Sequence, residues 1–247
     1  MKTAAIIPAR YASTRFPGKP LHLLAGKPLV QHVWERCREA DTFAEVVIAT
    51  DDMRIAEVAF EFGAEVALTS PKHQSGTDRI AEVAKKMTKI GAFFNVQGDE
   101  PHIDPKLLKR LSKELVRNKL EMITAANPFE EGESVENPNA VKVILNRASD
   151  AIYFSRSVIP FQRNPAAPVQ YFRHQGIYGY SRKFLLQFVK WKPTELEQAE
   201  QLEQLRALEH GAKIRVVVNK ANSIGVDTPE DAKEAEKLLK GRRPTGI

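Results

Sequence analysis

At 247 residues, with 43% hydrophobic and 28% charged side chains, the chain has the composition of an ordinary globular protein, sized for one α/β domain or two smaller ones. No apolar run approaches the ~18 residues of a membrane-spanning helix, and the first apolar residues form a short strand interrupted by Pro8 and Arg10, so a cytoplasmic protein with neither signal nor span is expected. The formal charge of +6 favours anionic partners. Lysine and arginine are spread along the chain and mixed with carboxylates, which points to small phosphorylated substrates and away from nucleic acid or a membrane surface. The one dense basic run, Lys240 to Pro244, lies in the terminal tail. The single cysteine, Cys37, can form no internal disulfide and reads as a packed thiol.

In chain order, Thr3 to Ile7 reads as a strand that runs into the loop Pro8 to Pro20. That loop combines Arg10, Arg15 and Lys19 with Ser13 and Thr14, while Pro8, Pro17, Gly18 and Pro20 forbid a regular helix. Planar guanidinium forks, a compact ammonium charge, hydroxyls and free backbone N–H groups together suit a polyphosphate. Pro28 to Ala40 then reads as a helix, Glu45 to Thr50 as a buried strand, and Asp52 as the cap of a helix from Arg54 to Phe62 that Gly63 stops. A strand at Ala64 to Thr69 follows. Ser75 to Arg79 opens a helix carrying Ile80, Val83, Ala84 and Met87; Ala92 to Gln97 is a strand ending at Asp99; a helix from Pro105 to about Asn118 and a strand at Glu121 to Ala126 close the first half.

This alternation predicts an α/β fold with a mostly parallel sheet covered by helices on both faces. Ligands bind at the carboxyl ends of the strands in such sheets. The basic loop, Asp51 and Asp99 all fall at that edge, and their convergence argues for a nucleotide site. No Gly-x-Gly-x-x-Gly, Walker-type loop, zinc spacing or Gly-x-Ser-x-Gly elbow occurs, so the phosphates must be held by other means.

The second half changes character. Asn137 to Leu145 and Ala151 to Arg156 read as strands around a turn at Asn146 to Asp150, an antiparallel excursion. A proline-rich arm at Ile159 to Val169 leads into Tyr171 to Tyr180, where polar and aromatic residues alternate and His174, Tyr178 and Tyr180 offer hydrogen bonds to a sugar. Glu195 to His210 reads as one helix containing Glu203 and Gln204, and Lys213 to Val218 as a strand. Thr228 is placed to cap the last helix, with Pro229 first and Asp231 third, which leaves Asp227 outside the cap and available for other work.

These stretches carry a resemblance. Ile-Pro-Ala-Arg-Tyr-Ala-Ser-Thr-Arg-Phe-Pro-Gly-Lys-Pro-Leu, His73 to Arg79, Asn95 to Pro101, Pro-Asn-Ala-Val-Lys-Val, Tyr-Phe-Ser-Arg, Arg173 to Tyr180, Leu-Glu-Gln-Leu-Arg and Gly-Val-Asp-Thr-Pro-Glu-Asp resemble, in order and over nearly the whole chain, the 3-deoxy-manno-octulosonate (Kdo) cytidylyltransferases. The resemblance implies a nucleotide-diphospho-sugar transferase type of Rossmann-like fold, with a smaller excursion for sugar binding and dimerisation. It implies a cytoplasmic, dimeric, Mg2+-dependent enzyme that joins CTP to Kdo or a close analogue, such as 8-amino-Kdo, and releases pyrophosphate.

One domain spanning 1–247 is expected: 1–130 mainly for nucleotide, 131–225 for sugar and dimer contacts, and 226–247 for a metal-ligand loop and terminal helix. The resemblance assigns Arg10, Ser13, Arg15 and Lys19 to the triphosphate, with Ser75, Gly76 and Gln97 near the nucleotide. It assigns Asp99 and Asp227 to the metal, and Arg79, Gln97, His174, Tyr178, Glu203 and Gln204 to the sugar. Arg10, Lys19, Asp99 and Asp227 are the expected catalytic set. Phe16, Phe161 and Gln175 depart from the family's common residues; of these, Gln175 bears on the sugar pocket. A basic nucleic-acid-binding or scaffold protein is the rival of a different class, and it leaves the strand-end carboxylates unexplained.

Overall fold

The computed structural model describes residues 1–12, 16–220 and 225–241. Its elements are β1 (Thr3–Ala9), a 3-10 turn (Lys19–Leu21), β2 (Leu23–Leu24), β3 (Lys27–Pro28), α1 (Leu29–Glu39), β4 (Glu45–Thr50), α2 (Met53–Glu61), β5 (Glu65–Leu68), α3 (Gly76–Lys86), β6 (Ala92–Asn95) and α4 (Pro105–Arg117). There follow β7 (Met122–Pro128), β8 (Lys142–Leu145), β9 (Ala151–Ser155), β10 (Phe172–Ser181), α5 (Arg182–Phe188), α6 (Glu195–Glu200), α7 (Gln204–Glu209), β11 (Ile214–Val218) and α8 (Pro229–Gly241). The chain divides into two compact units, Met1–Ser112 with Ser223–Ile247, and Lys113–Asn222.

In the first unit β1 lies between β6 and β4, with β5 beyond β4, and all pairings are parallel. Ala4, Ala5, Ile6 and Ile7 are completely buried, as expected of a strand with helices on both faces. β1 runs through Pro8 to Ala9, two residues beyond the strand expected from sequence. The reason lies in the register. Val96 N–H donates to the Ile6 carbonyl, which is the last bond from the β6 side, so two residues on the absent N–H of Pro8 faces a side where pairing has ended.

The β2–β3 hairpin turns at Ala25 and Gly26, both with positive φ. Its Leu24 packs with Leu29, Val226, Ala232 and Ala235, with Phe16 and Leu239 against the cluster. Each of its leucine and valine side chains contributes about 1.5–3 kcal/mol on burial, and each alanine methyl less. Together with Ala25 N–H donating to Glu236 and His102 Nε2 hydrogen-bonding the Ala235 carbonyl, the cluster seats α8 and the loop before it.

In the second unit β7 lies between β11, parallel to it, and β10, antiparallel; β8 pairs antiparallel with both β10 and β9. This is the antiparallel excursion expected from sequence. Two details differ. The single helix expected from Glu195 to His210 is two short ones, because Gln201 adopts a left-handed conformation (φ 52°) and Leu202 turns inward. Sequence reading also passed over α5, which Ser181 caps by accepting from Phe184 N–H and which stacks Phe184 and Phe188 on Tyr180.

Candidate active site

The site forms in the first unit, where segments far apart in sequence reach one edge of the parallel sheet. Gly18, in the left-handed region (φ 70°) and bonded back to the Tyr11 carbonyl, turns the basic loop into the 3-10 turn that begins at Lys19. Asp99 follows β6. Its neighbour Gly98 sits so close to β1 that a Cβ there would stand 2.9 Å from the Pro8 carbonyl oxygen, so only glycine permits the approach. Asp227 precedes α8, which Thr228 caps as expected and to which Asp231 adds the reciprocal half. Asp231 N–H donates to Thr228 Oγ1 at 3.2 Å, and Asp231 Oδ2 accepts from both Thr228 N–H and Asp227 N–H. Val226 N–H also donates to the Asp99 carbonyl at 2.8 Å, which ties the two aspartate loops together.

Lys19 joins the two carboxylates. Its ammonium lies 2.7 Å from Asp99 Oδ2 and 3.2 Å from Asp227 Oδ1, with the lysine side chain 15% exposed and the aspartates 30% and 51%. Two acceptor-only anions thus face one cation at the mouth of the sheet. They present hard oxygens to an incoming divalent ion. Among the described residues no group of three or more His, Cys, Asp or Glu side chains is placed to hold a metal ion, so the protein's carboxylate donors here are these two.

Arg10, just past β1, directs Nη2 to the carbonyls of His73 and Ser75, the latter at 3.4 Å. Ser75 Oγ accepts from Asp78 N–H in a full capping box at the start of α3. Gly76 opens that helix close to Pro8 and Asn95. Gln97 donates from Nε2 to Asn95 Oδ1 at 3.4 Å. Ser13 and Arg15 lie outside the described residues.

Arg79 differs from the sequence expectation. It has no exposed surface; Nη1 pairs with Asp51 at 3.3 Å and donates to Thr69 Oγ1, and burial lowers its pKa despite Asp51. A guanidinium at that depth braces the ends of β4 and β5 and is not open to a sugar. For the same reason Asp51, placed at the binding edge by its position after β4, belongs to this brace and does not join Asp99.

In the second unit, His174 and Tyr178 stand on β10 with ring centroids 5.3 Å apart. The register shifts between Gln175 and Tyr178, and Thr124 Oγ1 fills the resulting gap, donating to the Ile177 carbonyl at 2.7 Å with His174 Nε2 at 3.0 Å. Burial drives the His174 pKa down to about 3, so the imidazole is neutral and hydrogen-bonds without serving as a strong base. Burial, then Tyr180 and Glu203, push the Tyr178 hydroxyl well above its usual range. Glu203 lies 3.8 Å from Arg206, and Gln204 is buried with Nε2 lacking a hydrogen-bond partner among the described residues.

A family model described as cytidylyltransferase matches residues 4–214. The chain belongs to the cytidylyltransferase family. Among cytidylyltransferases it is similar to the 3-deoxy-manno-octulosonate cytidylyltransferase of Myxococcus xanthus, 48% identical over 98% of each chain. It is also similar to 3-deoxy-manno-octulosonate cytidylyltransferase 2 of Actinobacillus pleuropneumoniae, 46% identical over 98% of this chain and all of that one. The solved structure of CMP:2-keto-3-deoxy-manno-octonic acid synthetase complexed with CTP superposes with a TM-score of 0.93, at 40% identity over 97% of this chain and 99% of the other. A 4-diphosphocytidyl-2C-methyl-D-erythritol synthase from Anaerococcus prevotii, 14% identical with a TM-score of 0.65, shares the fold. The mixed α/β architecture of the cytidylyltransferases is therefore the architecture of this chain.

The sequence signalled Arg10, Lys19, Asp99 and Asp227. It did not signal Glu82, on α3, which accepts from Ser70 N–H at 3.0 Å and from the His73 ring at 2.6 Å and so holds the loop that receives Arg10.

Proposed function

We propose that the chain transfers the cytidylyl group of CTP to the anomeric hydroxyl of Kdo, giving CMP-Kdo and pyrophosphate. The observation that carries the assignment of roles is the meeting of Asp99, Asp227 and Lys19 from three distant segments. The anomeric oxygen forms a bond to the α-phosphorus as the α–β bridging bond breaks. Its proton passes to solvent, and the electron pair leaves on pyrophosphate.

Both reactants are anions, so cations must be in place before the reacting atoms approach. Arg10 and Lys19 fill that role on the triphosphate. Asp99 and Asp227 are the residues that would hold Mg2+, whose donor preference they match. When bound, that ion screens the phosphate charge and polarises the phosphorus–oxygen bonds. Neutral His174, Tyr178, Glu203, Gln204 and Gln97 bind and orient the sugar by hydrogen bonds, while Ser75 and Gly76 stand near the nucleotide. Cys37 takes no part: it is buried and its thiol is pushed up, so no covalent cytidylyl-enzyme is expected.

Pyrophosphate release from CTP and Mg2+, measured with and without Kdo, tests the reading. Release that requires Kdo is expected; equal release without it overturns the transfer. A panel including 8-amino-Kdo ranks the acceptors. In this reading, which follows the family resemblance, the chain acts in the cytoplasm as a homodimer, and Phe161, 85% exposed on the proline-rich arm, is a candidate contact of the dimer. Light scattering on the purified chain tests the dimer.

A further inference from the structure

The loop from Thr69 to Ser75 supplies the two carbonyls that receive Arg10, so whatever fixes the loop also aims the guanidinium. At its start, Thr69 N–H donates to the Thr50 carbonyl and Thr69 Oγ1 accepts from Arg79. At its end, Ser75 caps α3. Between them, one oxygen of Glu82 accepts from Ser70 N–H at 3.0 Å and from His73 Nε2 at 2.6 Å, while Lys86 lies 3.5 Å from the other oxygen. The Ser70 N–H and then the His73 hydrogen bond hold the Glu82 carboxyl at about 2, so it is ionised throughout the neutral range. His73 therefore has its ring on Glu82 and its carbonyl on Arg10.

We infer that Glu82, acting through His73, is the positioning residue that sets the aim of Arg10. The inference rests on the proposed reading of Arg10 as a triphosphate ligand. A guanidinium carries five N–H donors in one rigid plane, so fixing Nη2 on two carbonyls fixes where the plane lies. A long arginine loses considerable rotamer freedom on ordering, and a loop that orders it beforehand removes that loss from the binding step. A purely structural loop brace would stabilise the fold and leave nucleotide affinity alone. A positioning chain must transmit its effect through Arg10.

Calorimetric titration of CTP in Mg2+ buffer, without Kdo, separates the two. Glu82→Ala is expected to weaken CTP binding about tenfold, and Glu82→Gln, which keeps an acceptor for Ser70 and His73, to recover most of the loss. In an Arg10→Ala background, Glu82→Ala is expected to change affinity by less than about twofold. Unchanged affinity in Glu82→Ala, or an equal loss in both backgrounds, overturns the inference while the phosphate role of Arg10 stands. Full CTP affinity in Arg10→Ala alone overturns that role and the inference with it. If Glu82→Ala fails to fold by circular dichroism, His73→Phe, which keeps the carbonyl and the ring volume, carries the same comparison.

Discussion

Lys19, Asp99 and Asp227 illustrate how much a few side chains ask of their surroundings. Two carboxylates brought to one ammonium repel each other, and the loops that carry them are held together by backbone bonds such as Val226 N–H to the Asp99 carbonyl. In Asp99→Asn the loops retain those bonds, so the melting temperature is expected to change little while turnover falls by about two to three orders of magnitude, as for loss of one transition-state contact. Near-normal turnover at saturating Mg2+ would count against the metal role. Arg10→Ala is expected to lose a comparable factor in kcat/KM, since a charge-assisted phosphate contact is removed.

His174 yields a prediction of its own. Its folded pKa near 3 lies below the ordinary 6.5, so between these values the unfolded chain binds the extra proton and the folded one does not. This contribution to stability is complete above about pH 6.5 and declines as the pH falls toward 3. Denaturant midpoints measured over that range should decline less steeply in His174→Gln.

At the scale of elements, glycines and caps place the functional side chains. Gly98→Ala would bring a methyl group within 2.9 Å of the Pro8 carbonyl, so either β1 or the Asp99 loop must move. Turnover is expected to fall more than stability, and kcat beside a thermal melt decides. Thr228→Ala removes the acceptor for Asp231 N–H and should cost about 1 kcal/mol of stability. The short elements were where local pattern misled. A run of glutamates, glutamines and leucines from 195 to 210 has continuous helical periodicity, yet the chain breaks at Gln201, whose left-handed backbone ends the first helix ahead of the buried Leu202. By contrast Asp52 and Thr228 cap their helices as read, because a cap is a contact within four residues and is written locally.

For the whole molecule, ligand linkage provides a test that needs no turnover. CTP with Mg2+ at a hundred times its dissociation constant should stabilise the chain by about 2.7 kcal/mol, seen as a rise of several degrees in melting temperature. The rise should shrink in Asp227→Asn. What the amino-acid order determined by itself was the alternation of strand and helix, the caps, and the loops bearing Arg10, Lys19, Asp99 and Asp227, because periodicity, turn chemistry and motif are properties of neighbouring residues. Only the tertiary structure decided that Lys19 bridges two aspartates from segments 80 and 208 positions away, that Arg79 lies inside and braces Asp51, and that Glu82 holds the loop receiving Arg10. Burial and pairing between distant segments depend on which surfaces the packed sheet brings together, and no local window contains that information.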